Sequence, residues 1–416
     1  MGRASATAAS TAAAVAALTG ALALSQFFRS CLAVIAPELS HDLGLTPATF
    51  GVLSSSFFIA FAAAQLPVGL AFDRWGVGRP STVLLAMGVV GGIGFAAAPS
   101  GPTAMVAQAA LGVACAPVFM GLIHFASEHL GETRFVRVVG IANAIGMVGA
   151  LFAAAPLGWA AHTFGWRPAM VVAAGCMAAA CWAVHRHVKD EGHADARAES
   201  PARMLGASLA LLRIRPLWTL IPLCLALAAG TSFRNAWGGP YFAGVFGLGT
   251  VARGWAITVV SVAAIATAFL LPVLVRRGSQ KRTVQGWTLM SLAAAVLLAA
   301  APAFALPVDL ALLALMCTVG MLHPIVMAHG RGMLPPSMRG RGLGILNTFV
   351  FLGSALVSAG FGWIAEAGQR QGLAPATTFG WIFGAAALLL ACGALPYAFS
   401  PARPSPPPPA GTGPTA

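Results

Sequence analysis

Residues 14–36 read AVAALTGALALSQFFRSCLAVIA. One charged side chain, Arg29, interrupts an apolar run long enough to cross a bilayer core, which takes about 20 helical residues. Lipid offers backbone N–H and C=O groups no partner, so a spanning segment must satisfy them internally, as a helix or within a closed barrel. The run is rich in Ala, Leu and Val without a period of two, which favours the helix over a barrel strand. Arg3 followed by an Ala-rich stretch has the look of a secretory signal, but the apolar run continues to Ile35 and exceeds the core of one.

Eleven similar runs follow, at 49–71, 81–99, 103–126, 138–160, 168–185, 216–241, 253–275, 284–304, 307–328, 342–365 and 378–399. Across the 416 residues, 58% are hydrophobic and only 8% charged, with mean hydropathy +0.83. A soluble domain carries roughly 25% charged residues to cover its surface. The expectation is an all-α membrane protein with twelve transmembrane helices. The longest polar stretch, RHVKDEGHADARAESPARM at 186–204, divides two six-helix halves. This reading gives an N-terminal bundle at 1–185, a cytoplasmic linker at 186–215, a C-terminal bundle at 216–400 and a disordered Pro-rich tail at 401–416.

A net charge of +13 raises the question of nucleic acid, but the location of the charge answers it. Nineteen of the 24 Lys and Arg residues gather in alternate short loops and the two ends: Arg3, Arg74 and Arg79, Arg134 and Arg137, the 186–215 stretch, Arg276 to Arg282, Arg331 to Arg341, and Arg403. The intervening loops hold only Arg167, Arg253 and Arg370. That asymmetry orients a membrane protein with both termini in the cytoplasm, at the cytoplasmic or inner membrane, and calls for a lipid bilayer rather than nucleic acid as partner. The seven cysteines all lie in apolar runs without CxxC spacing and read as small apolar residues.

The halves repeat. Phe28-Arg29 recurs as Phe233-Arg234, Gly51 as Gly254, and Arg74-Trp-Gly76 as Arg276-Arg-Gly278. Arg137, Gly140, Ile141, Asn143, Gly149, Gly158 and Trp159 recur as Arg341, Gly344, Ile345, Asn347, Gly353, Gly362 and Trp363, each about 204 residues on. After the second run, Gly69-Leu-Ala-Phe-Asp73-Arg74-Trp-Gly76-Val-Gly-Arg79 resembles the GxxxDRxGRR signature of the major facilitator superfamily, with Val77 and Gly78 departing from it. The resemblance spans essentially residues 14–400. It implies secondary transport by alternating access of the two halves around a midplane site. It also implies that Gly69, Asp73, Arg74, Gly76 and Arg79 control the conformational equilibrium. Gln108 stands where the family's fourth helix often carries Arg, and the fifth run is Gly-rich at Gly140, Gly146, Gly149 and Gly158 without the Gly-Pro pair of the antiporter motif.

Arg29 and Arg234 fall at matching positions inside membrane runs. An arginine at that depth costs about 2.5–3.5 kcal/mol on insertion scales and should face a partner or a water-filled space. A guanidinium presents a planar fork suited to carboxylate or phosphate. The first run also resembles the organophosphate:phosphate exchangers and related anion transporters, where an arginine precedes a proline as Arg29 precedes Pro37. The resemblance implies a small anionic solute held between Arg29 and Arg234, with Gln26, Asn235 and Trp237 shaping selectivity. The alternative is a structural role for each arginine, bound to helix ends or to Glu38 or Glu128.

The 11 acidic residues all lie in loops or at helix ends, so no buried carboxylate of the kind a cationic-drug pump uses is expected. His124 and His329, nearly equivalent in the repeat, are the candidates for proton coupling. His323 and Met327 share a helical face in the manner of copper-importing relatives, which leaves a metal importer as a minor alternative beside drug or metabolite efflux. A receptor built on the same scaffold would need a folded domain outside the membrane, for which linker and tail leave no room. No nucleophile–base–carboxylate set falls at one depth, so an enzyme is disfavoured. No cofactor is called for, and the molecule is expected to act as a monomer on a small-molecule solute.

Overall fold

The computed structural model describes residues 2–189, 214–277, 279–334 and 339–401. The expected linker from residue 190 to 213, the tail from residue 402 and the repeat position Gly278 lie outside the described residues. Among the described residues, twelve helices are long and apolar enough to span a membrane. They are α1 (Ser10–Ser30, continuing as Leu32–Leu43), α2 (Pro47–Trp75), α3 (Gly78–Ala96), α4 (Gly101–His129), α5 (Arg137–Phe164) and α6 (Trp166–His187) in the first half. The second half holds α7 (Pro216–Phe246), α8 (Thr250–Arg277), α9 (Gln280–Ala300), α10 (Leu306–Met333), α11 (Gly342–Arg370) and α12 (Pro375–Ala398). The outer surface is apolar, with Val106 72% exposed and Leu388 67% exposed, as befits a molecule whose solvent is lipid.

Short connections with strong stop signals hold the helices antiparallel. Gly44 closes the α1 extension in the left-handed conformation (φ 60°), and Thr46 then caps α2 by accepting from the Thr49 N–H at 3.2 Å, with Pro47 in the first turn. Ser100 and Thr103 form a capping box at the start of α4.

The two halves meet at small residues, and these are the repeated glycines. A Cβ on Gly51 of α2 would lie 2.7 Å from the Ser358 carbonyl oxygen and 3.1 Å from Gly362 Cα on α11. A Cβ on Gly158 of α5 would lie 2.9 Å from the Thr250 carbonyl oxygen and 3.3 Å from Gly254 Cα on α8. Gly51 and Gly254 are repeat partners, as are Gly158 and Gly362, so the two crossings are one contact made twice by pseudo-twofold symmetry. Only glycine lets the backbones approach so closely. The same logic operates within each half, where Gly149 of α5 meets Ala23 of α1 and Gly353 of α11 meets Leu225 of α7.

Polar contacts between the halves cluster at the end of the bundle opposite the termini. Arg253 Nη2 donates to both Glu38 carboxylate oxygens at 2.5 and 2.7 Å, and the Thr250 hydroxyl donates to Glu38. Glu366 accepts from the Thr46 hydroxyl at 2.8 Å and the Ala48 N–H at 3.1 Å, and pairs with Arg370. Ser55 donates to the Ala355 carbonyl at 2.5 Å one level deeper.

The charge map needs correcting in two places. Arg253, expected in a loop, is 4% exposed in the first turn of α8, because the short connection buries it against α1. Asp309 is a buried carboxylate, 0% exposed, where none was expected. It lies in the first turn of α10 but folds inward to accept from the Tyr241 hydroxyl at 2.5 Å and the Ala303 N–H at 2.9 Å. Ala303 has a φ of 69°, so the carboxylate pins a strained loop.

Candidate functional site

Three of the helices that meet between the halves are irregular at one level. The α1 helix breaks at Cys31, whose carbonyl takes the N–H of both Val34 (3.3 Å) and Ile35 (3.5 Å) ahead of Pro37. The α7 helix widens into a π-helical turn at Phe233–Trp237. The α10 helix tightens into a 3-10 turn at Thr318–Leu322, just before His323-Pro324. Irregular backbone at membrane depth is tolerated where it is enclosed by protein, and π-turns favour functional sites. Arg29 stands two residues before the first break, Arg234 within the second and His323 next to the third.

The two arginines are brought together. Their neighbours Ser30 and Asn235 are joined by a 3.2 Å hydrogen bond from the serine hydroxyl to the asparagine oxygen. The Arg29 guanidinium lies 4.8 Å from the Phe61 ring of α2 and 5.2 Å from the Phe351 ring of α11, and those rings touch across the halves at 4.4 Å between centroids. The Nε of each arginine is buried without a hydrogen-bond partner. Neither has an acidic partner among the described residues, since Glu38 is engaged by Arg253 and Glu128 lies 3.4 Å from His124. Neither arginine is ion-paired with Glu38 or Glu128.

Symmetry extends to the surroundings. Cys115 of α4 lies beside Arg29, and Cys317 of α10 lies beside Arg234, each thiol buried. His323 of α10 stands beside the irregular turn, with its ring Nε2 buried and without a hydrogen-bond partner. Among the described residues no three His, Cys, Asp or Glu come together as a metal site.

The other expected site residues divide. Gln26 is half-buried, one turn before Arg29. Asn235 and Trp237 are 3% and 2% exposed and make interhelix contacts. Asn235 accepts from Ser30; Trp237 donates to the Ser358 hydroxyl at 3.2 Å and packs edge-on against Phe50 and Phe361. The π-turn rotates these side chains onto α1 and α11, which a regular helical wheel does not anticipate. His124 and His329 lie toward the end that carries the termini, far along their helices from the arginines. Their matched repeat positions hide unlike environments: His124 beside Glu128 and Phe72, His329 held between the Tyr397 hydroxyl (2.8 Å) and the Pro401 carbonyl (3.0 Å).

In the α2–α3 connection, Gly76 ends the helix at φ 74°, Gly69 faces Met120 of α4, and Asp73, Arg74 and Arg79 are exposed. Phe61 and Phe351 carried no signal in the sequence, being two among 24 phenylalanines, whereas Asn347 stood out as the repeat of Asn143.

A model of the Major Facilitator Superfamily matches residues 18–358. The chain belongs to this superfamily. Its superfamily fold is matched by solved structures that share little sequence. A point mutant of the nucleoside transporter NupG has a TM-score of 0.75 at 14% identity, over 91% of this chain and 99% of that one. A bacterial homolog of the human lysosomal transporter Spinster, inward-facing and occupied, has a TM-score of 0.73 at 14% identity, over 93% and 96%. The D-xylose-proton symporter has a TM-score of 0.74 at 14% identity, over 94% and 98%. Among curated proteins, the probable galactarate/D-glucarate transporter GudP of Bacillus subtilis (strain 168) is 27% identical over 166 residues. That match spans 37% of this chain and about a third, 36%, of the relative. As a superfamily member, the protein is a multi-pass membrane transporter of small solutes rather than an enzyme.

Proposed function

We propose that the protein is a secondary transporter of a small organic anion, carried at the cell membrane between Arg29 and Arg234 as the two halves rock about the site. The observation that carries this reading is the pair itself: two arginines whose neighbours Ser30 and Asn235 are hydrogen-bonded, each with a buried Nε lacking a partner, and neither ion-paired to a carboxylate among the described residues. Repulsion between like charges is relieved by an anion between the guanidiniums, which accept carboxylates bidentately. The partial similarity to a galactarate/D-glucarate transporter supports a carboxylate cargo. No nucleotide-binding signature is present in the sequence, so a solute or ion gradient, or exchange, is the energy source in this reading.

The test is binding to purified protein. Galactarate should raise the melting temperature, because a ligand that binds only the native state stabilises it. Arg29→Ala and Arg234→Ala should each cost about 2–5 kcal/mol of affinity. Because one anion is shared, the double variant should lose less than the sum. Transport that survives both substitutions would return the arginines to a structural role.

A further inference from the structure

The seam between α2 and α11 runs rung by rung from the end opposite the termini toward the middle of the bundle. As residue numbers rise along α2 they fall along α11: Gly51 packs on Gly362, Ser55 donates to the Ala355 carbonyl, and the Phe61 ring meets the Phe351 ring at 4.4 Å between centroids. Ser55, Phe58 and Phe61 are buried on one side of the seam, and Ala355 and Ser358 on the other. At the last rung the seal gives way, since Phe351 is only half-buried. Arg29 of α1, also half-buried, covers that rung, with its guanidinium carbon 4.8 Å from the Phe61 centroid and 5.2 Å from that of Phe351. Its Nε has no hydrogen-bond partner, so the two ring faces help to offset the cost of its charge at membrane depth.

We propose that Arg29 and Phe351 form a cation–π clasp between the two halves, which holds the end opposite the termini shut and makes both residues part of the gate. Arg29 and Phe61 belong to the first half and move together; Phe351 belongs to the second. When the halves part at this end, Arg29 keeps Phe61 and loses Phe351. A contact made in one state and absent from the other biases the equilibrium between them by its full strength. The clasp differs from the glycine crossings in kind: it needs a charge on one side and a ring face on the other, whereas the crossings need only the absence of a side chain. It is also independent of what the site carries. The faces of a guanidinium and its N–H edge are separate surfaces, so the clasp holds whether or not an anion occupies the edge.

The test is made on purified protein without ligand. Ala355→Cys places a thiol in the seam, where the alanine is 2% exposed. Its labelling by a water-soluble maleimide is timed, and the same protein without that cysteine corrects for the native thiols. Labelling samples the open form, so its rate follows the open population when opening is fast beside labelling. Loss of a desolvated cation–π contact should speed labelling about 5- to 30-fold in Phe351→Leu and in Arg29→Met. Phe351→Tyr and Arg29→Lys, which keep the ring and the charge, should stay near the parent rate. The double variant Arg29→Met/Phe351→Leu should be no faster than the quicker single variant, because both changes remove one contact. Parent-like rates in Phe351→Leu and Arg29→Met overturn the clasp. So does a double variant in which the two effects multiply, since each residue then acts through its own packing. Melting temperatures report whether each variant folds. If Phe351→Leu does not, Arg29→Met against Arg29→Lys decides by itself, and equal rates in those two overturn the proposal.

Discussion

Arg29 shows how a single side chain is held in readiness in an apolar setting. Two aromatic faces, Phe61 and Phe351, supply cation–π attraction worth about 2 kcal/mol when desolvated, yet they leave the N–H donors of the fork unspent. Lysine keeps the charge but not the planar fork, so Arg29→Lys should weaken anion binding about tenfold or more in a melting-shift titration while the protein still folds. Asp309 has the contrasting role. Tyr241 and Ala303 both donate to its Oδ2, while Oδ1 is buried without a hydrogen-bond partner. Tyr241→Phe removes one of those bonds inside a buried site, at a cost of about 1–3 kcal/mol. The expected outcome is a lower melting temperature with unchanged anion affinity; a change in affinity alone would place Asp309 in the transport pathway. The arginines were legible in the sequence because charge is conspicuous in an apolar run. Asp309 was misread because a first-turn aspartate looks exposed until the fold turns it inward.

At the scale of helices, the paired glycine crossings form the contact between the halves. Gly362→Leu would drive a side chain into Pro47 and Gly51 of α2, and should hold the end opposite the termini open. Transport should fall to a few per cent of wild type or less, by analogy with overpacking costs of about 1–3 kcal/mol. Labelling of a cysteine introduced near Thr46 should speed up in the same variant; unchanged labelling would show that this crossing does not seal the bundle. The α2–α3 connection belongs to this scale too. Asp73→Asn should slow uptake into vesicles far more than it weakens binding, because an exposed residue remote from Arg29 acts through the equilibrium between states. Equal losses in rate and affinity would instead make Asp73 part of the binding site.

For the molecule as a whole, the polar contacts at one end and their two-fold repetition describe a bundle closed opposite its termini. Glu38 and Arg253 span the halves there. Glu38 is partly exposed, which discounts the pair. Its loss in Glu38→Gln should shift the equilibrium toward opening by about fivefold, equivalent to about 1 kcal/mol. The shift would be read as faster labelling of a cysteine at Thr46, slowed again by raising anion concentration if the anion favours the closed form. Orientation is tested separately: reporter fusions after residue 195 and after residue 400 should both report the cytoplasm, and a signal from the opposite side for either would invert the topology.

By itself the sequence declared twelve membrane helices, two repeated halves and a matched pair of arginines. Those properties depend on local hydropathy, length and spacing, because the bilayer tests each segment separately for whether it can satisfy its own backbone. Which side chains meet was decided by packing. Asn235 and Trp237, in the π-turn with Arg234, are engaged in interhelix bonds to Ser30 and Ser358. The pairing of Glu38 with Arg253 and the Phe61–Phe351 contact join residues hundreds of positions apart. Each depends on the distance and angle between helix faces, and those are set by the glycine crossings only once both halves have come together.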